Sequence, residues 1–298
     1  MAILVFDIGG TAVKYGVWEN DTLTRKHRFS TPKTWEEMKQ TLLQVKKEVE
    51  KDTKIDGAAF SSPGAVNQEK RVIEGASAVP YLHSFPIYAE LEEAFGCPVS
   101  FENDANSAAL AEIWKGAARG LKSVLLVVVG SGIGGSIVMN GEVQHGKHLF
   151  GGEFGFALMT ETETFSDLGT AVGMARRYCR RKGLAEDAVS GEEVFQLAEE
   201  GDAVAQEEAE TFYYYLSKGI FNLQYSFDPE RILIGGGVSN KPDLLEKLDE
   251  QFDKILDVVQ IAPFKPEVAV CTFQNDANLV GAVYNFLKKR NERRENLR

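Results

Sequence analysis

Apolar positions along the chain gather into short runs of strand length, at residues 2–6, 12–18, 57–60, 99–101, 123–129, 136–139, 231–234 and 267–270. Val is the commonest residue in these runs, and their length and apolar character predict strands. Helical patterns lie between them. "TWEEMKQTLLQVKKEVEKD" opens on Thr34 with Glu37 three residues on, and "SGEEVFQLAEEG" repeats the device with Ser190 and Glu193. Both have the form of a capping box. Residues 202–227 keep an apolar stripe over one long helix. Strands alternating with helices predict an α/β protein.

The opening pattern occurs twice. "ILVFDIGGTAVKYGVWENDTL" reads as strand, glycine loop, strand, Asn20-Asp21 turn, strand. "SVLLVVVGSGIGGSIVMNGEV" repeats that order and turns at Asn140-Gly141; Asn-Gly is a strong hairpin signal. A repeat of this size implies a duplicated domain rather than a solenoid. A length of 298 residues has room for two cores. The boundary is expected within "GAARGLKS", giving domains over 1–118 and 119–281.

Charge and composition narrow the function. A net charge of −11 argues against a nucleic-acid surface, which needs a clustered basic face. The terminal "KKRNERRENLR" is locally basic, but Glu292 and Glu295 interrupt it, as on a solvated helix end. The first apolar run is too short for a secretory signal, and no window approaches the roughly 20 apolar residues that span a bilayer. Three cysteines, an odd number far apart in sequence, fit a reducing compartment. A cytoplasmic protein without membrane or nucleic-acid partners is expected.

The glycine loops join strand to strand, unlike a P-loop or a dinucleotide loop, which lead into a helix. Backbone N–H groups in tight glycine turns can still cradle an anion. Two such loops, one per domain, predict a polyphosphate held from both sides. A carboxylate beside phosphates, Asp7, then calls for a divalent cation such as Mg²⁺. Taken alone, Asp7 is better explained by capping a turn. A third run, Gly235-Gly236-Gly237 before Val238 and Ser239, follows a strand and lets a flat ligand such as adenosine approach the backbone.

"SFENDANSAALAE" passes from strand into helix at Glu102-Asn103-Asp104. An Asn or Asp there usually caps the helix, yet Asn103, Asp104 and Asn106 are more polar groups than one cap needs. They stand at a strand's carboxyl end, where α/β folds bind ligands. A carboxylate such as Asp104, if near an acceptor hydroxyl, can take its proton during phosphoryl transfer. Glu153, flanked by Gly151, Gly152 and Gly155, reads as a ligand contact. His145 and His148 have no cysteine or carboxylate nearby at metal-ligand spacing, and all four histidines are expected to be structural or solvent-facing.

The motifs "FDIGGTAVKYGV", "SSPGAV", "ENDANSAALAE", "GSGIGGSIVMNGEVQHG", "GGEFG", "ILIGGGVS" and "NDANLVGA" resemble, in order, those of ROK-family sugar kinases. The resemblance implies the actin-like ATPase (ribonuclease H-like) fold, with two related α/β domains around a cleft. Helix 282–298 would return to the first domain. It implies ATP and Mg²⁺ as cofactors, a sugar substrate and a homodimer. By position, Asp7, Gly9, Gly10, Thr11 and Lys14 are similar to the first phosphate loop, with Asp7 near Mg²⁺ through water. Gly130, Ser131, Gly132 and Gly134 are similar to the second. Gly235, Gly236, Gly237, Val238 and Ser239 correspond to the adenosine site. Asn103 and Asp104 correspond to the sugar contact and the base, with Gly64 and Glu153 lining the sugar site. Glu163, or Glu161, stands for a second sugar-binding glutamate.

Where zinc-bearing members have a histidine and a cysteine cluster, this chain has Phe156 and no such cluster. No zinc is expected. This version resembles the β-glucoside kinase branch, which phosphorylates the 6-hydroxyl of glucosides such as cellobiose. The alternatives are a glucokinase, an N-acetylmannosamine or other amino-sugar kinase, and a non-catalytic sugar or ATP sensor of the same fold. The family's transcription repressors carry an N-terminal helix-turn-helix, whereas this chain opens on the phosphate loop.

Overall fold

The computed structural model describes residues 1–273 and 275–295. They form two compact units. The first comprises Met1–Arg119, His145–Phe150 and the chain from Asn275 onward; the second comprises Gly120–Gln144 and residues 151–273. The last three residues of the expected terminal helix, 296–298, lie outside the described residues.

The first unit opens with an antiparallel meander, β1 (Ile3–Ile8), β2 (Ala12–Glu19) and β3 (Thr22–Ser30). There follow α1 (Trp35–Val49), β4 (Gly57–Ser62), the hairpin β5 (Ala65–Asn67) and β6 (Val72–Glu74), α2 (Ile87–Phe95), β7 (Val99–Asn103) and α3 (Asp104–Lys115). The main sheet runs β3-β2-β1-β4-β7, with β1, β4 and β7 parallel.

The second unit repeats this plan. Its meander is β8 (Val124–Val129), β9 (Ile133–Met139) and β10 (Glu142–Val143). Helices α4 (Phe165–Leu168), α5 (Ala171–Lys182), α6 (Gly191–Glu199) and α7 (Ala203–Phe227) lead to β11 (Arg231–Gly236), then α8 (Leu244–Val258) and β12 (Val268–Val270). The sheet runs β10-β9-β8-β11-β12, with β8, β11 and β12 parallel. Both meanders turn at residue pairs with positive φ, Asn20 (50°) with Asp21 (62°) and Asn140 (56°) with Gly141 (77°). That backbone matches the right-handed twist of the flanking strands.

Helix α9 (Ala277–Glu295) closes the first unit. Gly281 lets it lie against α3 so closely that a Cβ there would sit 1.6 Å from the Ser107 carbonyl oxygen. Asn285 donates to the Phe101 carbonyl at 3.1 Å, and the Phe286 ring fills the space over Gly57.

In the first core, Phe6, Phe60 and Phe101 sit side by side in register on β1, β4 and β7. Their rings stack at 5.1 and 4.6 Å and are fully buried. Of the two expected capping boxes, only Ser190/Glu193 is complete. At α1, Thr34 accepts from the Glu37 N–H, but the Glu37 carboxylate takes the Lys33 N–H at 3.1 Å instead of closing the box.

Candidate functional site

Strand alternation builds the polar part of the first unit. The three phenylalanines point one way, so the next residue on each strand, Asp7, Ser61 and Glu102, points the other. This row lies near the carboxyl ends of three parallel strands, where α/β sheets bind ligands. Asp7 is only 8% exposed, and its Oδ1 accepts from Ser61 Oγ at 2.9 Å and Asn278 Nδ2 at 3.0 Å. Lys14 Nζ stands 3.8 Å from Oδ2. These donors hold the carboxylate in one orientation, which suits a hard cation that keeps its own waters.

The loop after β1 is folded tightly. Gly9 N–H donates to the Ala12 carbonyl at 3.0 Å, and Thr31 Oγ donates to the Gly9 carbonyl at 2.6 Å. A Cβ on Gly10 would come within 2.8 Å of Ala78 Cβ. Thr11 is exposed at the tip.

Asn103 caps α3, its Oδ1 accepting from Ala105 N at 3.0 Å and Asn106 N at 3.2 Å. Its Nδ2 donates to the Gly64 carbonyl at 3.2 Å. Gly64 has φ +97°, and a side chain there would strike His83 and Ile73. Capping therefore falls to Asn103 rather than Asp104. Asp104 is the first residue of α3, its Oδ1 accepting from Ala105 N at 2.8 Å.

Sequence reasoning passed over Glu102, which is 1% exposed. It accepts from Asn103 N at 2.9 Å, Gln68 Nε2 at 2.7 Å and Asn106 Nδ2 at 3.2 Å. His145 Nε2 lies 3.1 Å from both of its oxygens. That hydrogen bond holds the His145 imidazole above its ordinary pKa, outweighing the burial that would lower it. A buried carboxylate with this many donors holds the Asn103-Asp104 turn in place. The one sequence signal was alternation, which sends Glu102 to the face opposite Phe101.

In the second unit, the loop after β8 closes through Gly130 N–H to the Gly132 carbonyl at 2.9 Å, and Ser166 Oγ accepts from Ile133 N at 2.9 Å. A cavity of about 820 Å³ opens beside it, lined among others by Gly130, Ala171, Phe195, Gly237, Val238 and Lys241. Its lining is mixed, apolar at Val129, Phe195 and Val238 and polar at Glu192, Glu199 and Lys241; the apolar part suits a flat heteroaromatic ligand. Of the expected adenosine residues, Gly237 and Val238 line this cavity. Gly235, Gly236 and Ser239 shape it instead. Gly235 packs by Cys271, and Gly236, at φ +88°, has no room for a Cβ beside the Val129 carbonyl. Ser239 Oγ donates to the Gly236 carbonyl at 2.7 Å. Phe195 and Lys241 were not foreseen; the Lys241 ammonium stands 4.5 Å over the Phe195 ring.

Gly134 continues the loop into β9, and Ser131 is exposed at its tip. Glu153 is exposed at the start of a 3₁₀ turn over Phe154–Phe156. Glu163 is half-buried, its carbonyl accepting from Met159 N at 2.9 Å and Thr160 N at 3.3 Å; Glu161 beside it is exposed. Glu153 and Glu163 belong to the second unit, and Gly64, Asn103 and Asp104 to the first. Among the described residues, no group of three His, Cys, Asp or Glu side chains could hold a metal ion.

Comparison with known proteins adds to this geometry. A family model described as the ROK family matches residues 3–289. The chain is 34% identical to a β-glucoside kinase of Listeria monocytogenes, covering 98% of this chain and 99% of the relative. It is 33% identical to a β-glucoside kinase of Klebsiella pneumoniae, covering 96% of each. Among solved structures it resembles a ROK family protein of Streptococcus pneumoniae TIGR4 in complex with sucrose, with a TM-score of 0.89 and 34% identity, covering 98% of this chain and 100% of that one.

Proposed function

Because the chain belongs to the ROK family, we propose that it transfers the γ-phosphoryl group of ATP to the 6-hydroxyl of a glucose unit, within a β-glucoside such as cellobiose. The observation that carries this reading is the turn at Asn103-Asp104. Asn103 supplies the helix cap, and Asp104 stands beside it on the first turn of α3. Near-full-length similarity to two β-glucoside kinases supports the substrate class. A 34%-identical structure in complex with sucrose, a two-ring sugar, supports a substrate larger than one ring.

In this reading Asp104 takes the proton from the attacking hydroxyl. Asn103 and the Gly64 turn, tied by their hydrogen bond, orient the sugar. Glu153 and Glu163 take further sugar hydroxyls. The cavity lined by Gly130, Phe195, Gly237 and Val238 takes the adenosine. The loops at Gly9-Gly10-Thr11 and at Gly130–Gly134 present backbone N–H groups to phosphates, and Lys14 adds a positive charge near Asp7. Asp7 would hold Mg²⁺ through its waters, and that ion neutralises phosphate charge when bound. A cytoplasmic homodimer completes the proposal. No helix among the described residues is long and apolar enough to cross a membrane.

The test is coupled ADP release with Mg²⁺-ATP across glucose, N-acetylmannosamine, N-acetylglucosamine, fructose, cellobiose and gentiobiose. Highest kcat/KM on a β-glucoside supports the proposal. Preference for a monosaccharide removes the β-glucoside part. ATP binding without turnover on any sugar favours a sensor.

A further inference from the structure

We infer that the turn carrying Phe156 is a platform for the second ring of a β-glucoside, an inference that rests on the kinase reading above. The segment from Gly151 to Phe165 is fixed to β9, the strand that leaves the second glycine loop. Gly152, at φ +96°, passes so near β9 that a Cβ would lie 2.4 Å from the Gly135 carbonyl oxygen. Gly155 passes closer still, with a Cβ position 2.1 Å from the Ile133 carbonyl oxygen. Phe154, Met159 and Phe165 are buried in the core beneath. The far side is closed by Phe165 N–H to the Ala157 carbonyl at 2.7 Å and by Lys218 Nζ to the Met159 carbonyl at 3.2 Å.

A segment anchored this firmly could have buried its apolar side chains, yet it leaves two large ones in water. Phe156 and Leu158 are each 69% exposed. They stand on the same short segment as the carboxylates of Glu153 and Glu163. A rigid element that offers an aromatic ring and an aliphatic group, with carboxylates on the same segment, suits a ligand with an apolar face and a hydroxylated rim. A pyranose ring has that form. Glu153 stands at the N-cap position of this 3₁₀ turn and Phe156 ends it, three positions on. With Glu153 on the ring that is phosphorylated, Phe156 is offered to the ring beyond it.

The experiment compares kcat/KM for glucose and cellobiose in wild type, Phe156→Ala and Phe156→Tyr, with sedimentation velocity on each. The side chain is largely exposed, so truncation leaves the fold intact. Phe156→Ala is expected to lower cellobiose kcat/KM relative to glucose by about three- to tenfold, the size of one aromatic contact, chiefly through KM. Phe156→Tyr is expected to restore the ratio. An unchanged ratio overturns the inference. So does a shift in association state with the ratio unchanged, which would make the patch an interface between copies of this chain. If wild type phosphorylates neither sugar, the kinase reading falls separately. Saturation-transfer NMR with cellobiose then decides the inference: contacts to the second ring that vanish in Phe156→Ala support it, and their absence in wild type or persistence in the variant overturns it.

Discussion

At the scale of single residues, two carboxylates two positions apart stand in different surroundings. Asp104 stands on the first turn of α3, and Glu102 is buried beneath it among four hydrogen-bonding partners. Asp104→Asn keeps the shape and removes the proposed base, so kcat should fall by roughly 10²- to 10⁴-fold. Sugar affinity, read by calorimetry, should change little; near-wild-type turnover would remove Asp104 from the role. Glu102 makes a different prediction through His145. The folded protein raises the imidazole pKa above 6.5. Its protonated form therefore adds stability that is complete below that value and is lost as pH climbs through the raised one. The melting midpoint should decline over that window, and Glu102→Gln should flatten the decline. A wild-type profile with no such decline would show that the pair is not ionic. Asp104 was legible from its place between strand and helix. Glu102 was not, because a glutamate at a strand end looks solvated until Gln68, Asn106 and His145 close over it. His145 was hidden for the same reason: its partner is 43 positions away.

At the scale of elements, the two meanders were legible because a glycine loop and a positive-φ turn leave marks within a few residues. The hairpin β5–β6 was not, since three-residue strands carry too little alternation to count. The half-formed box at Thr34 shows a motif outrun by local competition, because the Lys33 N–H takes the Glu37 carboxylate at 3.1 Å. Helix contacts were equally silent in the sequence. Gly281 reads there as a weak point in α9, and its purpose appears only with Ser107 packed against it. Gly281→Ala sets two effects in opposition. Helix propensity favours alanine by about 1 kcal/mol. The new methyl, however, falls 1.6 Å from the Ser107 carbonyl oxygen, so α3 and α9 must separate. Overpacking of that kind costs about 1–3 kcal/mol and should prevail. A lower urea midpoint is expected, and a rise would mean the helices separate freely.

At the scale of the whole molecule, the repeat read from sequence reappears as two sheets with one strand order, β3-β2-β1-β4-β7 and β10-β9-β8-β11-β12. The order follows from the meanders, because each leaves its first strand with one edge open to parallel partners. The duplicated plan puts a glycine loop in each unit, but the chemistry beside the two loops has diverged. The first has Asp7 with its three polar neighbours, and the second has the cavity walled by Phe195 and Val238. Nucleotide binding should therefore separate into a metal-dependent and a metal-independent part. ATP at a hundredfold excess over its Kd should stabilise the protein by about 2.7 kcal/mol, read as a rise in melting midpoint. Magnesium should enlarge that rise in wild type. Asp7→Asn keeps an oxygen to accept from Ser61 and Asn278 and loses the charge, so it should abolish the magnesium increment and leave the metal-free rise in place. If both parts vanish together, Asp7 supports the loop rather than the cation. Without nucleotide, a zinc chelator should leave the wild-type midpoint where it was, since neither unit has a cluster of ligands, among the described residues, whose loss of metal would loosen it.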